Sequence, residues 1–399
     1  MAYNVLFISH ERKMGGANHS LVELVKGLRD LGHNVSVVVL YRGCPIDKKL
    51  CSMGIETFSC FFGWWQQPKN WNLFLKLAFK LLHWLQWIAV VRISGYVKRK
   101  KIDIIHSNSS VIDIGAQVAQ KTECKHVWHF REYGEADYRL EYMFGKEESM
   151  NYVSKYSDMI IFISNALYSA YAELKDSDKV RVIYDGIVSK SAAWEEDILL
   201  LRKDRERNDK FTFLVTGNLS QGKNQMLVIE ATNILISQMG VDKKSFQVYF
   251  AGAMTSLTES RKYMQGMQEY ISVNNLDNIV FWGYVEDMSS LREKVHAEII
   301  PSKSEAYGRV TLEAMLNHNL VIASESGANP ELIENNKHGI LFEKDNANDL
   351  ANKMLQAMKE DNELYIQKAF EYVKSVHIQE DAYQKVQSAY QDIMVKGKD

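Results

Sequence analysis

The chain has 399 residues, a length that exceeds one ordinary hydrophobic core and predicts two domains of roughly 150 to 200 residues each. Hydrophobic residues make up 46% of it, charged residues 25%, and there are only 4 prolines, which excludes collagen, mucin-like stalks and wholesale disorder. The formal net charge of -2 provides no overall attraction to nucleic acid, so partners must be inferred from local sites.

The cysteines and the first residues indicate the cellular compartment. Cys44, Cys51, Cys60 and Cys124 form no C-x-x-C pair and lack the histidine spacing of a zinc site, so we expect reduced thiols and no metal. Residues 1–8 enter an apolar run without a basic region or a small-residue cleavage site, which argues against a signal peptide. We therefore expect a cytoplasmic protein.

The first half of the chain has the pattern of a parallel α/β domain. An apolar strand at 5–8, a loop containing glycine, apolar residues at helical spacing over 21–28 and a buried strand at 35–40 form a βαβ unit. Three more apolar runs, each followed by polar or small residues, predict further strands. These runs lie at 102–105, 127–130 and 159–163.

A second series of buried strands predicts another α/β domain. Its strands are predicted at 211–215, 247–251, 279–282, 298–301 and 320–323. The charged segment 190–210 is the best candidate for the crossing between the domains. We expect an N-terminal domain over 1–190, a C-terminal domain over 191–375, and a final helix, 376–399, that packs back on the first domain.

Segment 61–101 combines five tryptophans with a long apolar run that ends in Lys98, Arg99, Lys100 and Lys101. Lysine, histidine, glutamine and arginine interrupt the run, which disfavours a spanning helix and suits an aromatic and basic helix lying in the headgroup region. An ordinary amphipathic helix of the α/β domain would show the same pattern. In the first case the protein would be peripheral on the inner face of the membrane.

In each domain the residues after the first strand are candidates for ligand binding, because open α/β sheets bind ligands at this edge: two glycines in the first domain and a lysine in the second. Gly15 and Gly16 would let the backbone approach a phosphate or a sugar, although a tight turn also explains them. Lys223 follows the strand at 211–215 and lies just before a helix. It could bind a diphosphate together with the helix dipole, or be an ordinary solvated lysine.

Two carboxylates frame the most informative stretch, 301–315. Glu305 falls in the loop after a strand and Glu313 lies about one turn into the next helix, so both could face one ligand. The backbone of the four residues between them that open this helix forms an anion site. These residues are Ala306, Tyr307, Gly308 and Arg309. Solvated carboxylates at a helix start are the alternative interpretation.

Together these stretches resemble the retaining glycosyltransferases of family 4, over nearly the whole chain. The resemblance rests on four features: Gly15-Gly16, the G-x-L-x-x-x-K-N run that ends in Lys223 and Asn224, the E-x7-E pair, and the turn that begins at Gly327. It implies the GT-B fold, an α/β architecture in which two Rossmann-like domains face each other across a donor and acceptor cleft. The E-x7-E motif is the specific feature.

The resemblance also implies roles for individual residues. Glu313 matches the glutamate that binds the nucleotide ribose, Glu305 matches the one that touches donor sugar hydroxyls, and Lys223 matches the lysine on the diphosphate. His129 resembles the histidine that faces the donor sugar, although a histidine at a strand end could also be a satisfied core residue. Gly15 and Gly16 would lie on the acceptor side, with Gly16 also near the donor.

One position departs from the family pattern. Asn218 stands where the family often has an arginine shortly before the lysine, so part of the cationic clamp is missing, and Arg309 is a candidate replacement. The implied reaction moves a hexosyl group from a nucleoside-diphosphate sugar, UDP- rather than GDP-linked, with retention of configuration and without a metal or other cofactor. Charge growing on the leaving diphosphate would be stabilised by the lysine and by helix amides.

The implied acceptor is a glycan or a lipid-linked sugar, as in the synthesis of bacterial surface polysaccharides or glycolipids. Two alternatives stay open. One is a nucleotide-sugar 2-epimerase, which would use the same donor site. The other is a catalytically degenerate binding subunit, which only Asn218 favours.

Overall fold

A computed structural model describes residues 1–135, 139–174, 178–191, 210–254, 258–334 and 337–395. The chain divides into two compact units. Unit 1 comprises Met1–Lys190 and Ile378–Asp399, and unit 2 comprises Ser191–His377. Most of the predicted crossing at 190–210 lies outside the described residues.

Unit 1 is built on a parallel sheet of seven strands in the order β3-β2-β1-β5-β6-β8-β9. Its strands are β1 (Asn4–Ile8), β2 (Asn34–Val39), β3 (Glu56–Ser59), β5 (Ile104–Ser107), β6 (Lys125–Phe130), β8 (Met159–Phe162) and β9 (Val180–Val182). Two short strands, β4 (Gln66–Pro68) and β7 (Leu140–Tyr142), pair antiparallel beside it. The strand order reverses between β1 and β5, which is where doubly wound sheets open a ligand crevice.

Helices cover both faces of this sheet, so its central strands are buried on each side. The helices are α1 (Gly16–Asp30), α2 (Pro45–Ser52), α3 (Leu73–Trp84), α4 (Trp87–Lys100), α5 (Ile114–Thr122), α6 (Lys146–Tyr156), α7 (Asn165–Ser169) and, from the end of the chain, α15 (Gln379–Val395). α15 packs on α1. Contact is close at Gly27, because a Cβ there would lie 2.0 Å from the ring of Tyr383.

Unit 2 has a parallel sheet of six strands in the order β12-β11-β10-β13-β14-β15. Its strands are β10 (Phe211–Thr216), β11 (Phe246–Ala251), β12 (Ile279–Gly283), β13 (Ala297–Ile300), β14 (Leu320–Ser324) and β15 (Ile340–Phe342). Its helices are α8 (Gln225–Ser237), α9 (Thr258–Val273), α10 (Met288–Arg292), α11 (Arg309–Leu316), α12 (Asn329–Ile333), α13 (Ala347–Lys359) and α14 (Glu363–Val376). Here the order reverses between β10 and β13.

The predicted strands agree with the two parallel sheets to within one residue except at both ends of β5 and at the start of β6, which begins at Lys125 and not at residue 127, and five short strands were not predicted: the edge strands β3, β9 and β15, and the pair β4 and β7. The strand predicted at 102–105 begins at Ile104 instead, because Asp103 turns its carboxylate to the backbone N–H of Asn4, 2.7 Å away. The strands β3, β9 and β15 were not predicted, since each has only three or four residues and no long apolar run.

Segment 61–101 forms two helices where its pattern suggested one. α3 ends at Trp84 and α4 begins at Trp87, and the turn between them contains i to i+3 hydrogen bonds of 3.1 Å from Leu85 to Leu82 and 2.9 Å from Gln86 to His83. Within the described residues, Leu73–Lys100 is the one stretch whose length and composition would allow it to cross a membrane.

Candidate active site

The loops after β10 and β13 meet at the carboxyl edge of the unit 2 sheet, at the point where the strand order reverses. They are joined by a hydrogen bond of 2.9 Å from the Lys303 N–H to the Gly222 carbonyl. Gly252 also approaches closely, since a Cβ there would lie 1.9 Å from the Gly217 carbonyl oxygen. Backbone packing of this kind fixes the positions of the side chains that these loops carry.

Lys223 and Glu305 form an ion pair between the two loops. The Glu305 side chain is 11% exposed and that of Lys223 is 34% exposed, so the carboxylate lies deeper than the ammonium group. The structure therefore brings together the residue predicted to bind a diphosphate and the residue predicted to contact sugar hydroxyls.

Helix α11 opens beside this pair. Gly308 precedes it with φ +84°, and a Cβ at Gly308 would come within 2.6 Å of the Leu332 side chain, so glycine suits both the backbone and the space. The side chain of Tyr307 is buried, and its hydroxyl lies 3.1 Å from Nδ1 of His377. Tyr307 thus anchors the loop through its side chain.

Glu313 is held by two arginines. Arg309 Nε donates to Oε1 over 2.8 Å and Arg292 Nη1 donates to Oε2 over 3.0 Å. Arg292 is buried and also donates from Nε to the buried Glu298 over 2.8 Å. Burial alone would lower the pKa of Arg292, but the two carboxylates outweigh it and raise that pKa above its ordinary value. The Glu313 carboxylate is thereby fixed while it stays partly exposed.

Arg292 and Glu298 were not predicted from the sequence. Both belong to other elements than Glu313, and only the fold brings them beside α11. Arg309, the candidate replacement for an arginine at position 218, contacts Glu313 directly. Asn218 itself is exposed, and its carbonyl oxygen accepts a hydrogen bond of 3.1 Å from Gln225 Nε2.

The turn at Gly327 packs on the loop that carries Glu305. Gly327 has φ +55°, and the Ala328 N–H donates to the Glu305 carbonyl over 2.7 Å. The neighbouring Asn329 accepts from the Thr311 hydroxyl over 2.9 Å and so connects this turn to α11. Contacts from the loop after β10 and from the turn at Gly327 therefore define the position of Glu305.

In unit 1, Gly15 and Gly16 follow β1 as predicted and lead into α1. Gly15 is the N-cap residue, and a Cβ there would lie 2.8 Å from a carboxylate oxygen of Glu11. The buried Asn18 fixes this loop by donating to the carbonyls of Lys13 and Glu11, at 2.7 and 3.2 Å. The sequence did not predict that Asn18 holds this loop, because its hydrogen bonds depend on the path that the loop takes.

His129 lies near the end of β6 and is 1% exposed. Its Nδ1 is 3.1 Å from Nε2 of His106 and 3.4 Å from Nη2 of Arg131. Arg131 in turn donates to Asp185 and to Asn108, both over 2.6 Å. Burial, followed by the charge of Arg131, lowers the pKa of His129 well below its ordinary value, so the ring is neutral.

Glu132 completes the polar cluster at this strand end. Its carboxylate accepts hydrogen bonds from the hydroxyls of Ser109 and Ser110, at 2.6 and 2.8 Å. Burial raises the pKa of Glu132, and these hydrogen bonds oppose that effect. Of the predicted residues, unit 1 thus carries Gly15, Gly16 and His129, while all the others lie in unit 2.

Comparison with known proteins gives a consistent picture. Residues 14–190 match the model for glycosyltransferase family 4, and residues 198–373 match the model for glycosyl transferases group 1. An uncharacterized glycosyltransferase of Methanocaldococcus jannaschii is 27% identical over 201 residues, which is 48% of this chain and 49% of that protein.

Two further relatives differ in how much of the chain they match. The poly(ribitol-phosphate) alpha-N-acetylglucosaminyltransferase of Staphylococcus aureus is 28% identical over 37% of this chain and 29% of its own. The chain thus spans half or less of the length of the Methanocaldococcus and Staphylococcus relatives. HepE of Anabaena, solved in complex with UDP and glucose, has a TM-score of 0.76 at 20% identity, over 98% of this chain and 99% of that one.

Proposed function

The chain belongs to the family 4 glycosyltransferases and has their GT-B fold, and on that premise we propose that it transfers a hexosyl group from a UDP-sugar with retention of configuration. The observation that carries the proposal is the ion pair of Lys223 and Glu305 between the loops after β10 and β13, with Glu313 on the helix that follows the second loop. The choice of UDP is supported by HepE, which was solved with UDP and glucose.

Each residue has a role that its contacts favour. Lys223 would pass from Glu305 to the diphosphate and stabilise the negative charge that grows as the glycosidic bond breaks, assisted by the N-terminus of α11. Glu305 would then accept hydrogen bonds from sugar hydroxyls, and Glu313, fixed by two arginines, would accept them from the ribose. Arg309 would add a second positive charge near the phosphates.

The proposed mechanism requires no protein nucleophile and no metal. The acceptor would attack on the face from which the diphosphate leaves, and the departing phosphate would take the acceptor proton. Glu305 is therefore assigned to binding, unlike the nucleophilic carboxylate of a retaining glycosidase. The role that the resemblance implies for His129, a contact with the donor sugar, is part of the proposal.

Thermal unfolding with UDP, GDP and their sugar conjugates tests the donor site. A ligand that binds the folded state raises the melting temperature by mass action, so we expect a shift with UDP compounds that persists in EDTA. The shift should disappear in Glu313→Ala and persist in Glu360→Gln, an exposed carboxylate at the end of α13. A shift that EDTA removes would contradict the metal-free mechanism.

Asn218 favours a second candidate, a degenerate binding subunit that has lost turnover. This reading predicts no thermal shift with any nucleotide, or nucleotide binding without transfer to any acceptor. An Asn218→Arg variant that gained nucleotide affinity would show that the clamp is incomplete in the natural chain. Unchanged affinity in that variant, together with turnover by the wild type, would exclude the degenerate subunit.

We further propose a glycan or lipid-linked acceptor at a membrane, as in bacterial surface polysaccharide or glycolipid synthesis. The acceptor named for the Staphylococcus relative is poly(ribitol-phosphate), a polymer, which supports a polymeric acceptor. The exposure of helix α3 supports binding to a membrane, because every one of its residues is exposed or partly exposed. Its most exposed apolar residues, between 66% and 78% exposed, are Leu73, Phe74, Leu81, Leu82 and Trp84.

The positive charge of the segment that contains α3 also supports binding to a membrane. Residues 57–102 include eight lysines and arginines and contain no aspartate or glutamate. Three of the lysines pair with glutamates outside this stretch, namely Lys69, Lys76 and Lys100, and the other five cations would attract anionic lipid. Apolar side chains of α3 would enter the headgroup region while Lys76 and Lys80 remain at its level. The protein would then be cytoplasmic and peripheral on the inner face of the membrane.

Flotation with anionic liposomes tests this surface. We expect the wild type to float and a Phe74→Gln, Leu81→Gln double variant to remain at the bottom. Because both side chains are exposed, stability should change by no more than about 0.5 kcal/mol for each substitution. Leu364→Gln, an exposed apolar residue on α14, is the matched control. Equal flotation of the double variant and the wild type would remove the membrane proposal.

A further inference from the structure

Three neighbouring loops of unit 1 carry aromatic and cationic side chains at the carboxyl edge of its sheet. Strands β1, β2 and β3 lie side by side and run parallel, so the loops after them leave the same edge. The residues concerned are all exposed, and together they are called the edge surface. They are Arg12 and Lys13 after β1, Tyr41 and Arg42 after β2, and Phe61 after β3.

Contacts between side chains show that these loops meet. The guanidinium carbon of Arg12 lies 4.5 Å from the centre of the Tyr41 ring, which is within the range of a cation–π contact. The centre of the Phe61 ring lies 5.7 Å from that of Tyr41, at an interplanar angle of 34°. Phe61 is nevertheless 59% exposed and Tyr41 is 40% exposed. Two aromatic rings and a cation therefore form one surface that is open to solvent.

Buried polar groups beneath the edge surface fix the backbone that carries it. Asn18 holds the first loop by two hydrogen bonds to backbone carbonyls. The carboxylate of the buried Asp47 accepts from the Gly43 N–H and from the Thr57 hydroxyl, both over 2.6 Å, and so joins the second loop to β3. Burial alone would raise the pKa of Asp47, but these hydrogen bonds and the charge of Arg42 outweigh it and lower that pKa. The loops are thus held in place from beneath.

The three cations of the edge surface lack ion-pair partners. In the parts of the chain that the structure describes, no carboxylate oxygen lies within 4.0 Å of their side-chain nitrogens. Other cations of unit 1 do have such partners, as Lys76 has in Glu141. Glu11 is near in sequence, but its carboxylate lies on the side of His10, with Oε1 3.9 Å from Nε2. The edge surface therefore carries a surplus of positive charge.

A glycan that carries negative charges matches both properties of this surface. The C–H groups on one face of a sugar ring have partial positive charge, which favours contact with the negative face of an aromatic ring. Arginine and lysine bind phosphate and carboxylate groups. Strands β1 and β3 lie two strand spacings apart, about 10 Å, which exceeds the length of one sugar ring and suits an oligomer. An apolar ligand would cover the cations without supplying a counter-charge.

We propose that the edge surface binds an anionic glycan, whose phosphate or carboxylate groups pair with its three cations while a sugar ring stacks on Phe61. The inference rests on the proposed function, in which this glycan is the acceptor. The loop that carries Arg12 leads directly into Gly15 and Gly16, for which the resemblance implies the acceptor side. The acceptor class is thereby narrowed from any glycan or lipid-linked sugar to a negatively charged oligomer.

Calorimetry on the full chain with matched oligomers tests the ligand class. The probes are hexagalacturonate with carboxylates, a ribitol-phosphate hexamer with phosphates, neutral maltohexaose, and a single-stranded RNA hexamer. We expect one anionic glycan to bind at least about tenfold more tightly than maltohexaose, and to lose affinity between about 50 and 300 mM salt because salt screens the charges. Which of the two binds identifies the anionic group. Equal binding of maltohexaose, tighter binding of the RNA, or no binding of either anionic glycan would overturn the inference.

Two double variants with the same change in net charge test the cations. Arg12→Gln, Arg42→Gln should weaken binding of the anionic hexamer about fivefold to tenfold, the effect expected for two exposed charge pairs. Lys26→Gln, Lys121→Gln removes two exposed cations near the carboxyl ends of α1 and α5 and should bind as the wild type does. Equal weakening in both double variants would attribute binding to net charge and overturn the site.

Two substitutions of Phe61 test the stacked ring. Phe61→Tyr keeps an aromatic face, whereas Phe61→Leu keeps an apolar side chain without one. We expect Phe61→Tyr to bind as the wild type does and Phe61→Leu to bind about threefold to tenfold more weakly. Because Phe61 is exposed, both variants should fold, which thermal unfolding verifies. Equal affinity of the two variants would overturn the role of the ring.

The thermal shift with UDP, measured on the same samples, separates this inference from the proposed donor site. Binding of the oligomers is measured without nucleotide and concerns unit 1 alone. Oligomer binding without a UDP shift would count against the proposed donor site and support the anionic glycan site. A UDP shift without binding of either anionic hexamer would overturn the edge surface as a glycan site and leave the donor site supported.

Discussion

Gly327 lies in a turn whose backbone leaves no room for a side chain. Its φ is +55°, and a Cβ would come within 2.2 Å of the Glu305 carbonyl oxygen, which is backbone and cannot rotate away. Gly327→Ala must therefore displace the loop that carries Glu305. We expect it to lose most of the thermal stabilisation that the wild type gains from UDP, measured as the shift in melting temperature at saturating UDP.

Gly240 is the matched control for this substitution. Its φ of +70° would strain an alanine backbone in a similar way, but a Cβ at Gly240 would have no heavy atom within 4 Å. Gly240→Ala should cost about 1 to 2 kcal/mol of unfolding free energy from the left-handed backbone alone and keep the UDP shift. If both variants kept the same shift, the close contact at Gly327 would have no bearing on the donor site.

The predicted site residues were those whose significance depends on spacing along the chain. Glu305 and Glu313 stand at a fixed interval across one loop and one helix start, and Lys223 follows a strand. Arg292 and His106 could not be found in this way, because their partners are brought to them by the fold. The hydrogen bond from Tyr390 to His106 joins residues 284 positions apart, a separation that no local pattern encodes.

At the scale of elements, the turn between α3 and α4 is attached to the start of α5. Nε2 of His83 lies 3.0 Å from Oδ2 of Asp113, and Gln86 Nε2 donates to Oδ1 of Asp113 over 3.0 Å. Burial lowers the pKa of His83, but Asp113 and the carbonyl of Trp64 outweigh it and raise that pKa above its ordinary value. His83 therefore gains its proton more readily in the folded chain than in the unfolded one.

This difference predicts a pH dependence of stability. A raised pKa in the folded state gives stability that is fully present below the unfolded pKa, near 6.5, and is lost as pH rises through the folded value. Urea unfolding of the wild type and His83→Gln between pH 5.5 and 8.5 should show a stability difference that shrinks as pH rises. Other buried histidines contribute equally to both proteins, so a constant or growing difference would exclude a charged His83–Asp113 pair.

The break between α3 and α4 shows that hydrophobic periodicity does not reveal where a helix is interrupted by a tertiary contact. Apolar residues continue at helical spacing through 73–93, so periodicity alone favours one helix. The side chains of His83 and Gln86 turn instead to Asp113, and a tight turn replaces a full helical one. The long central strands, by contrast, were predictable, because burial on both faces makes each a continuous apolar run.

At the scale of the whole molecule, α15 completes the core of unit 1. Ile393 is 3% exposed and belongs to the same apolar cluster as Val5 and Phe7 on β1. Ile393→Ala should lower the free energy of unfolding of unit 1 by about 2 to 5 kcal/mol, because it leaves a cavity in that cluster. Calorimetry with and without UDP measures the effect, and binding of UDP to unit 2 should be preserved.

Val395→Ala serves as the control for Ile393→Ala, because that side chain is 67% exposed and its loss should change stability by about 0.5 kcal/mol or less. A similar loss of stability in both variants would mean that α15 contributes little through its buried face. The two-sheet class of the fold was predictable from two series of buried strands. A final helix that packs back on the first domain was expected from the sequence, whereas the residues through which α15 makes this contact, such as Tyr383 and Tyr390, follow only from the fold.

The discontinuity of unit 1 has a consequence for synthesis on the ribosome. Unit 2 is one continuous stretch of chain, whereas the core of unit 1 needs α15, which is translated after every other helix and strand described here. Most of unit 1 is therefore synthesised first but cannot complete its core until α15 has been translated, whereas unit 2 can already fold by then. A premature stop codon shortly before α15 would therefore leave unit 2 folded and unit 1 exposed to proteases.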